Sequence, residues 1–167
     1  AVEGTAEARQ RGAAGALTVT NRAPADRPGR VAFAGDTAPA RYSAWDRAAR
    51  KATFLFGARP KLEKYVLAPM KPVEVKARDG LTLPSYLTLP VGVAPKKLPL
   101  VLFVHGGPWA RDEWGYHPYA QWFANRGYAV LQVNYRGSEG FGKRFRNAAM
   151  KEFAGKMHTD LVDAVGW

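Results

Sequence analysis

The stretch Phe103-Val-His-Gly-Gly-Pro-Trp109 holds the clearest chemical pattern in the chain. It follows Leu98-Pro-Leu-Val-Leu-Phe-Val104, a near-continuous aliphatic run of the kind a strand buried on both faces requires. Paired glycines at the end of such a strand let the main chain approach a ligand oxygen closely, with no Cβ in the way. Backbone N–H groups aimed at such an oxygen stabilise negative charge that develops during acyl transfer. A tight turn around a hydrogen-bonded histidine is the plainer alternative. The rest of an acyl-transfer site is missing. Ser43, Ser85 and Ser138 are the only serines, and none lies in G-x-S-x-G. Ser138 has Gly137 directly before it, in Arg-Gly-Ser-Glu-Gly. The hydrolase order is serine, acid, histidine, yet no histidine follows Asp160 or Asp163, which leaves His117 and His158 without a triad role.

The elements that must position this loop are legible around it. Residues 1–16 are small, polar and turn-rich, and little order is expected there. Four short β-like runs follow, Leu17–Asn21, Arg30–Ala34, Arg41–Trp45 and Ala52–Phe56, separated by turns such as Pro24-Ala-Asp26 and Gly35-Asp36. Their spacing predicts an antiparallel meander over residues 17–60, which is also how one propeller blade reads. Residues 61–71, with Pro69, read as a linker, and a second domain is expected over 72–167. It opens with an alternating strand, Val73–Ala77, the hairpin signal Asp79-Gly80 and a return strand, Leu81–Leu89. Pro84 in that return strand implies an edge or a bulge. Beyond strand 98–104, a helix is predicted from Pro118 to Arg126, with Gly127 past its end. Tyr128–Val133 follows as a strand, then a helix from Phe141 to about Phe153, and another from Thr159 as cap to Trp167. Alternating strand and helix at this spacing predict an α/β fold with a parallel sheet.

Composition bounds the partners. The 167 residues are 47% apolar and 23% charged, ordinary for a soluble globular protein. The net charge of +11 is spread along the chain: basic residues outnumber acidic ones 12 to 6 over residues 1–70 and 13 to 8 over 71–167. Lys143, Arg144, Arg146, Lys151 and Lys156 form the one local cluster, read as a solvated helix face. No zinc-finger spacing, phosphate loop or RNA-binding signature points to nucleic acid, and no apolar run approaches bilayer length. With no cysteine, thiolate metal sites are out and the redox compartment cannot be read. No cofactor or metal is called for. The chain starts at Ala1 rather than Met, which leaves a lost leader, and so the compartment, open.

The segment VLFVHGGPWARDEWGYHPYAQWFANRGYAVLQVNYRGSEGFGKRF resembles the prolyl oligopeptidase family of serine peptidases, most of all its acylaminoacyl-peptidase and dipeptidyl-peptidase-like branch. LAPMKPVEVKARDGLTLPSYLTLP resembles that family's entry into its catalytic domain, and KMHTDLVDAVGW the helix before its nucleophile strand. ARYSAWDRAARKATFLF is similar, less distinctively, to the end of its β-propeller. The resemblance spans about residues 30–167, with 98–138 carrying most of it. It implies the N-terminal part of an α/β-hydrolase fold, preceded by antiparallel strands from the end of a propeller. It implies acyl-enzyme hydrolysis of oligopeptides, with strand 98–104 beside strand 128–133 and the triad beyond Trp167.

Carried over position by position, Gly107 matches the oxyanion-hole amide and Gly106 is the spacer that turns the chain. On this view Gly106 takes the unusual backbone angles and Pro108 keeps Gly107 out of helical ones. His105 stands where some relatives have a tyrosine, and reads as a wall of the loop. Trp109, Arg111 and Asp112 fall on the rim, facing substrate or, for the last two, paired with each other. An esterase- or lipase-type hydrolase and a non-enzymatic basic binding module are the rival readings. The upstream meander disfavours the first. The second would rest on the basic helix and the absent triad.

Overall fold

The computed structural model describes residues 15–21, 29–46, 48–107 and 109–167. They form two units, one reaching Leu67 and including Gly115–Pro118, the other made of Ala68–Trp114 and Tyr119–Trp167. Among the described residues no helix is long and apolar enough to cross a membrane.

The first unit is an antiparallel meander of β1 (Ala16–Asn21), β2 (Gly29–Ala34), β3 (Arg41–Asp46) and β4 (Lys51–Gly57), paired in sequence order. Cross-strand side chains hold it. Tyr42 opposes Phe56 with the rings stacked at 4.8 Å, and Arg41 lies over Phe54 at 4.7 Å. Tyr116 N–H, in the Gly115–Pro118 stretch, donates to Gly35 O at 2.8 Å. The expected turn at 24–26 and nearly all of residues 1–16 lie outside the described residues, although β1 already begins at Ala16.

In the second unit β5 (Met70–Lys76), β6 (Thr82–Thr88), β7 (Leu100–Phe103) and β8 (Ala129–Val133) pair in the order β5-β6-β8-β7. Only β7 and β8 are parallel; the other two pairings are antiparallel, so the sheet is mixed rather than parallel. The β5–β6 turn follows from Gly80, which supplies φ +86°, while Gly80 N–H donates to Ala77 O at 2.8 Å. Pro84 does not mark an edge: β6 is interior. Its carbonyl accepts Asn134 N–H at 3.0 Å, and the β6–β8 ladder starts one residue later, at Ser85 opposite Val133. The proline therefore sits opposite Asn134 at the last rung with β8, where its missing N–H leaves a single bond and ends the ladder.

Strand β7 is shorter than the aliphatic run suggests and is not buried on both faces. It stands at the edge of the sheet, with Leu100 and Val104 exposed. Strand β8 is buried throughout. By the two-residue period of a strand, Leu131 and Val133 turn to one face, and Gln132 and Asn134 to the other. The first face forms the core, with Val75, Leu83, Tyr135, Phe145, Met157 and Ala164. Each large apolar side chain buried there contributes about 1.5–3 kcal/mol.

Helix α1 (Pro118–Ala124) ends, as expected, before Gly127 at φ +86°. The helix expected over 141–153 is only α2 (Lys143–Asn147), because the chain turns through left-handed conformations at Lys151 and Ala154. The basic cluster is thus divided between α2, this turn and α3 (Lys156–Gly166). Thr159 is not a cap. It lies inside α3, its hydroxyl donating back to Lys156 O at 3.1 Å, while Glu152 Oε2 accepts the Lys156 N–H at 3.1 Å in the capping role.

An ionic lock joins these parts. Arg136, just past β8, donates from Nη2 to Asp160 Oδ1 of α3 at 2.7 Å and from Nη1 to Asp79 Oδ2 of the β5–β6 turn at 2.9 Å. Asp160 is fully buried and Arg136 nearly so. Hydrogen bonding to Asp160, then to Asp79, pushes the guanidinium pKa up despite burial.

Candidate active site

His105 lies two residues beyond the end of β7, and its ring stacks on Tyr135 with centroids 4.6 Å apart and planes 15° from parallel. His105 Nδ1 is 2.9 Å from Gly106 O, and Nε2 is 2.8 Å from Ser138 Oγ. A carbonyl only accepts, so Nδ1 carries a hydrogen. Tyr135 O–H donates to His105 O at 3.0 Å. Burial first, and the nearby Asp112 charge second, push the Tyr135 phenol up, which keeps that hydrogen in place. His105 is therefore more than a wall: it holds the loop by both ring nitrogens and its carbonyl.

The unusual backbone belongs to Gly107, not to Gly106 as the sequence suggested. Gly107 has φ +135°, and a Cβ there would stand 2.8 Å from Trp109 N and 2.9 Å from Ala110 N. A Cβ on Gly106 would meet nothing within 4 Å. Gly107 is exposed, and among the described residues no carbonyl accepts its N–H. Gly106 C=O and Gly107 N–H are opposite ends of one planar trans peptide. By fixing the carbonyl, His105 turns the amide outward.

The far side of the loop is held by residues that sequence reasoning missed. Asn134 Oδ1 accepts Asp112 N–H at 2.8 Å, and Asn134 Nδ2 donates to Asp112 O at 3.2 Å. Glu139 N–H donates to Ala110 O at 3.0 Å. The available signal was Gln132 and Asn134, two polar residues closing the apolar run of β8. Asp112 is not on the rim, and its carboxylate does not pair with Arg111, whose Nε donates instead to the Asp112 carbonyl at 3.3 Å. Asp112 is buried, and its Oδ1 accepts Gln132 Nε2 at 2.8 Å. Arg111 lies over the Phe141 ring at 4.5 Å and 3.9 Å from Glu113. Trp109 is half exposed beside Gly107.

The short Ser138–His105 contact is not a catalytic pair. Ser138 is fully buried, with its Oγ 2.8 Å from His105 Nε2 and 2.7 Å from Tyr135 O, so its single hydrogen serves one of these contacts at a time. The other nitrogen of His105 faces a carbonyl where a relay would need a carboxylate. Ser85 is also buried, bonded to Leu83 O at 3.0 Å, and Ser43 lies within β3 of the first unit. His158 is exposed on α3, and His117 belongs to the first unit. The arrangement can present one amide to an oxygen, and it holds no nucleophile.

Residues 114–167 match the prolyl oligopeptidase family. The chain is 55% identical over 160 residues to dipeptidyl aminopeptidase BIII of Pseudoxanthomonas mexicana, covering 92% of this chain and 23% of that relative. The chain belongs to the prolyl oligopeptidase family. It is also 40% identical over 147 residues to dipeptidyl peptidase family member 6 of Caenorhabditis elegans, covering 74% of this chain and 19% of the relative. Among solved structures, an acylaminoacyl peptidase of Pyrococcus horikoshii superposes with a TM-score of 0.72 at 23% identity, over 92% of this chain and 24% of that one. That likeness establishes the fold: the first unit corresponds to strands at the end of a β-propeller and the second to the N-terminal part of an α/β-hydrolase domain. This prolyl oligopeptidase family chain thus spans about a quarter of the length of the relatives it matches.

Proposed function

We propose that this chain is the oxyanion-binding part of a serine peptidase that cleaves oligopeptides. In the full reaction a serine hydroxyl oxygen bonds to the scissile carbonyl carbon, the C–N bond breaks and the amine leaves with a proton. Water then releases the acyl group and restores the serine. While the carbon is tetrahedral its oxygen carries negative charge, and Gly107 N–H is the donor this chain offers it. The observation that carries the reading is the exposed, unaccepted Gly107 N–H on a loop braced by His105 and Asn134. Trp109, exposed beside it, is the rim residue placed to meet the substrate. The dipeptidyl-peptidase relatives and the meander of the first unit favour a peptidase over a simple esterase.

A fluorophosphonate probe tests the division of labour. Applied to the intact protein, it should label one serine, and peptide mapping should place it outside Ser43, Ser85 and Ser138. The 167-residue chain alone should take no label and hydrolyse no oligopeptide anilide. Stoichiometric labelling of any of the three serines would falsify the proposal.

A further inference from the structure

Behind the loop lies a polar cluster that the reading of Gly107 leaves unused. Asp112 is 7% exposed and Gln132 1%. Gln132 Nε2 donates to Asp112 Oδ1 at 2.8 Å, so the amide and the carboxylate meet end to end. Their remaining oxygens, Asp112 Oδ2 and Gln132 Oε1, are both buried, and among the described residues neither has a hydrogen-bond partner. The neighbours are committed elsewhere: Arg111 to Phe141, Glu113 and the Asp112 carbonyl, the Asn134 amide to the Asp112 backbone, and the Tyr135 hydroxyl to His105 O. Buried acceptors without a donor are costly, the more so when charged, and folded interiors pair nearly all of them.

We propose that Asp112 Oδ2 and Gln132 Oε1 form an internal binding site for one small guest that presents donors or positive charge, a water molecule or a monovalent cation of similar size. Two acceptors on side chains bonded to each other set the size of the guest, since a water has two hydrogens to give, one for each oxygen. A single carboxylate sets its charge at zero or one. Among the described residues no group of three His, Asp or Glu side chains gathers for a divalent ion. Thr88 Oγ1 is a third buried atom without a partner, on the same face of the sheet, opposite Val130 and so diagonal to Gln132. Its hydroxyl can donate to a water oxygen, or its oxygen can ligate a cation. The guest would bridge the loop at Asp112 to β8, beside the Asn134 contacts.

The test needs no enzymatic readout and is independent of the peptidase reading. A high-resolution crystal structure of the intact protein should show a density peak bridging the two oxygens. Soaks in rubidium or thallium(I) salts separate the sources: an anomalous signal at the peak identifies a cation site, and its absence with the peak retained identifies water. Asp112→Asn puts an NH2 group where Oδ2 stood. It can donate to Gln132 Oε1 while Gln132 Nε2 still donates to residue 112, closing an amide pair that needs no guest. That variant should lose the peak and melt no lower than the wild type, whereas Asp112→Ala should melt lower. Direct contact between Asp112 Oδ2 and Gln132 Oε1 in the wild type, with a proton shared and no guest, would overturn the proposal. So would an unchanged peak in Asp112→Asn.

Discussion

His105 Nδ1 stands 2.9 Å from Gly106 O, the far end of the peptide whose N–H belongs to Gly107. The ring therefore aims an amide that it does not touch. In the intact peptidase, His105→Ala should lower kcat by about 10²–10³, the scale of losing one oxyanion donor. KM should move far less, because the amide meets its oxygen chiefly in the transition state. His105→Asn, whose side-chain NH2 can take the place of Nδ1–H, should recover part of the loss. Steady-state kinetics on an oligopeptide anilide check this, and a change confined to KM would refute it.

Arg136 and Asp160 make a buried pair, and breaking it leaves a guanidinium without its main partner. Asp160→Ala should cost up to about 3–5 kcal/mol in urea unfolding, the penalty for a buried charge left without its partner, with Asp79 retaining part of the pairing. Replacing both residues by apolar ones of similar volume should cost much less. Equal losses for the single and double variants would show that packing, rather than charge, dominates there.

These two sites differ in how far the sequence reveals them. Asp79-Gly80 specifies its turn locally, and the meander follows from runs and turns a few residues long, so both can be read directly. The HGGP loop is visible as a motif. Which of its two glycines carries the strained angle is not, because Gly106 and Gly107 are chemically alike and only the approach of Trp109 N and Ala110 N distinguishes them. Arg111-Asp112 looks like a surface pair. The burial of Asp112 depends on Gln132 and Asn134, twenty or more residues away. The break after α2 is equally hidden. Ala148, Ala149 and Met150 are good helix formers, yet the backbone turns left-handed at Lys151.

Acid should weaken the fold through two carboxylates, the exposed Asp79 and the half-buried Asp163. The Arg136 hydrogen bond holds Asp79 below the ordinary carboxylate range, and the Arg78 hydrogen bond does the same for Asp163. Lowered values mean that the stability they add is complete above about pH 4 and is lost as pH falls through the lowered values. Asp79→Asn and Asp163→Asn should therefore lie below the wild type by a constant margin between about pH 5 and 8. The margin should shrink only under stronger acid. Chemical denaturation across the pH range measures it, and a margin unchanged at the acid extreme would contradict the assignment.

The last prediction separates the two loop glycines. Gly107 at φ +135° occupies backbone space that L side chains rarely adopt, and its Cβ position lies 2.8 Å from a main-chain nitrogen that has no flexible end to swing aside. Gly107→Ala must therefore shift the backbone, at about 1–3 kcal/mol of strain, and the shift rotates the peptide that carries the donor. In the intact peptidase kcat should fall by about 10²–10³. Gly106 has open space around its Cβ position. Gly106→Ala leaves the His105 contact in place, and kcat should stay within a few-fold of wild type. Had Gly106 been the turning residue, as the sequence alone suggests, the order would be reversed. Kinetics on the two variants, with a melting curve for each to show that the fold persists, decide between the assignments. A Gly107→Ala enzyme that folds and keeps wild-type kcat removes Gly107 N–H from the chemistry.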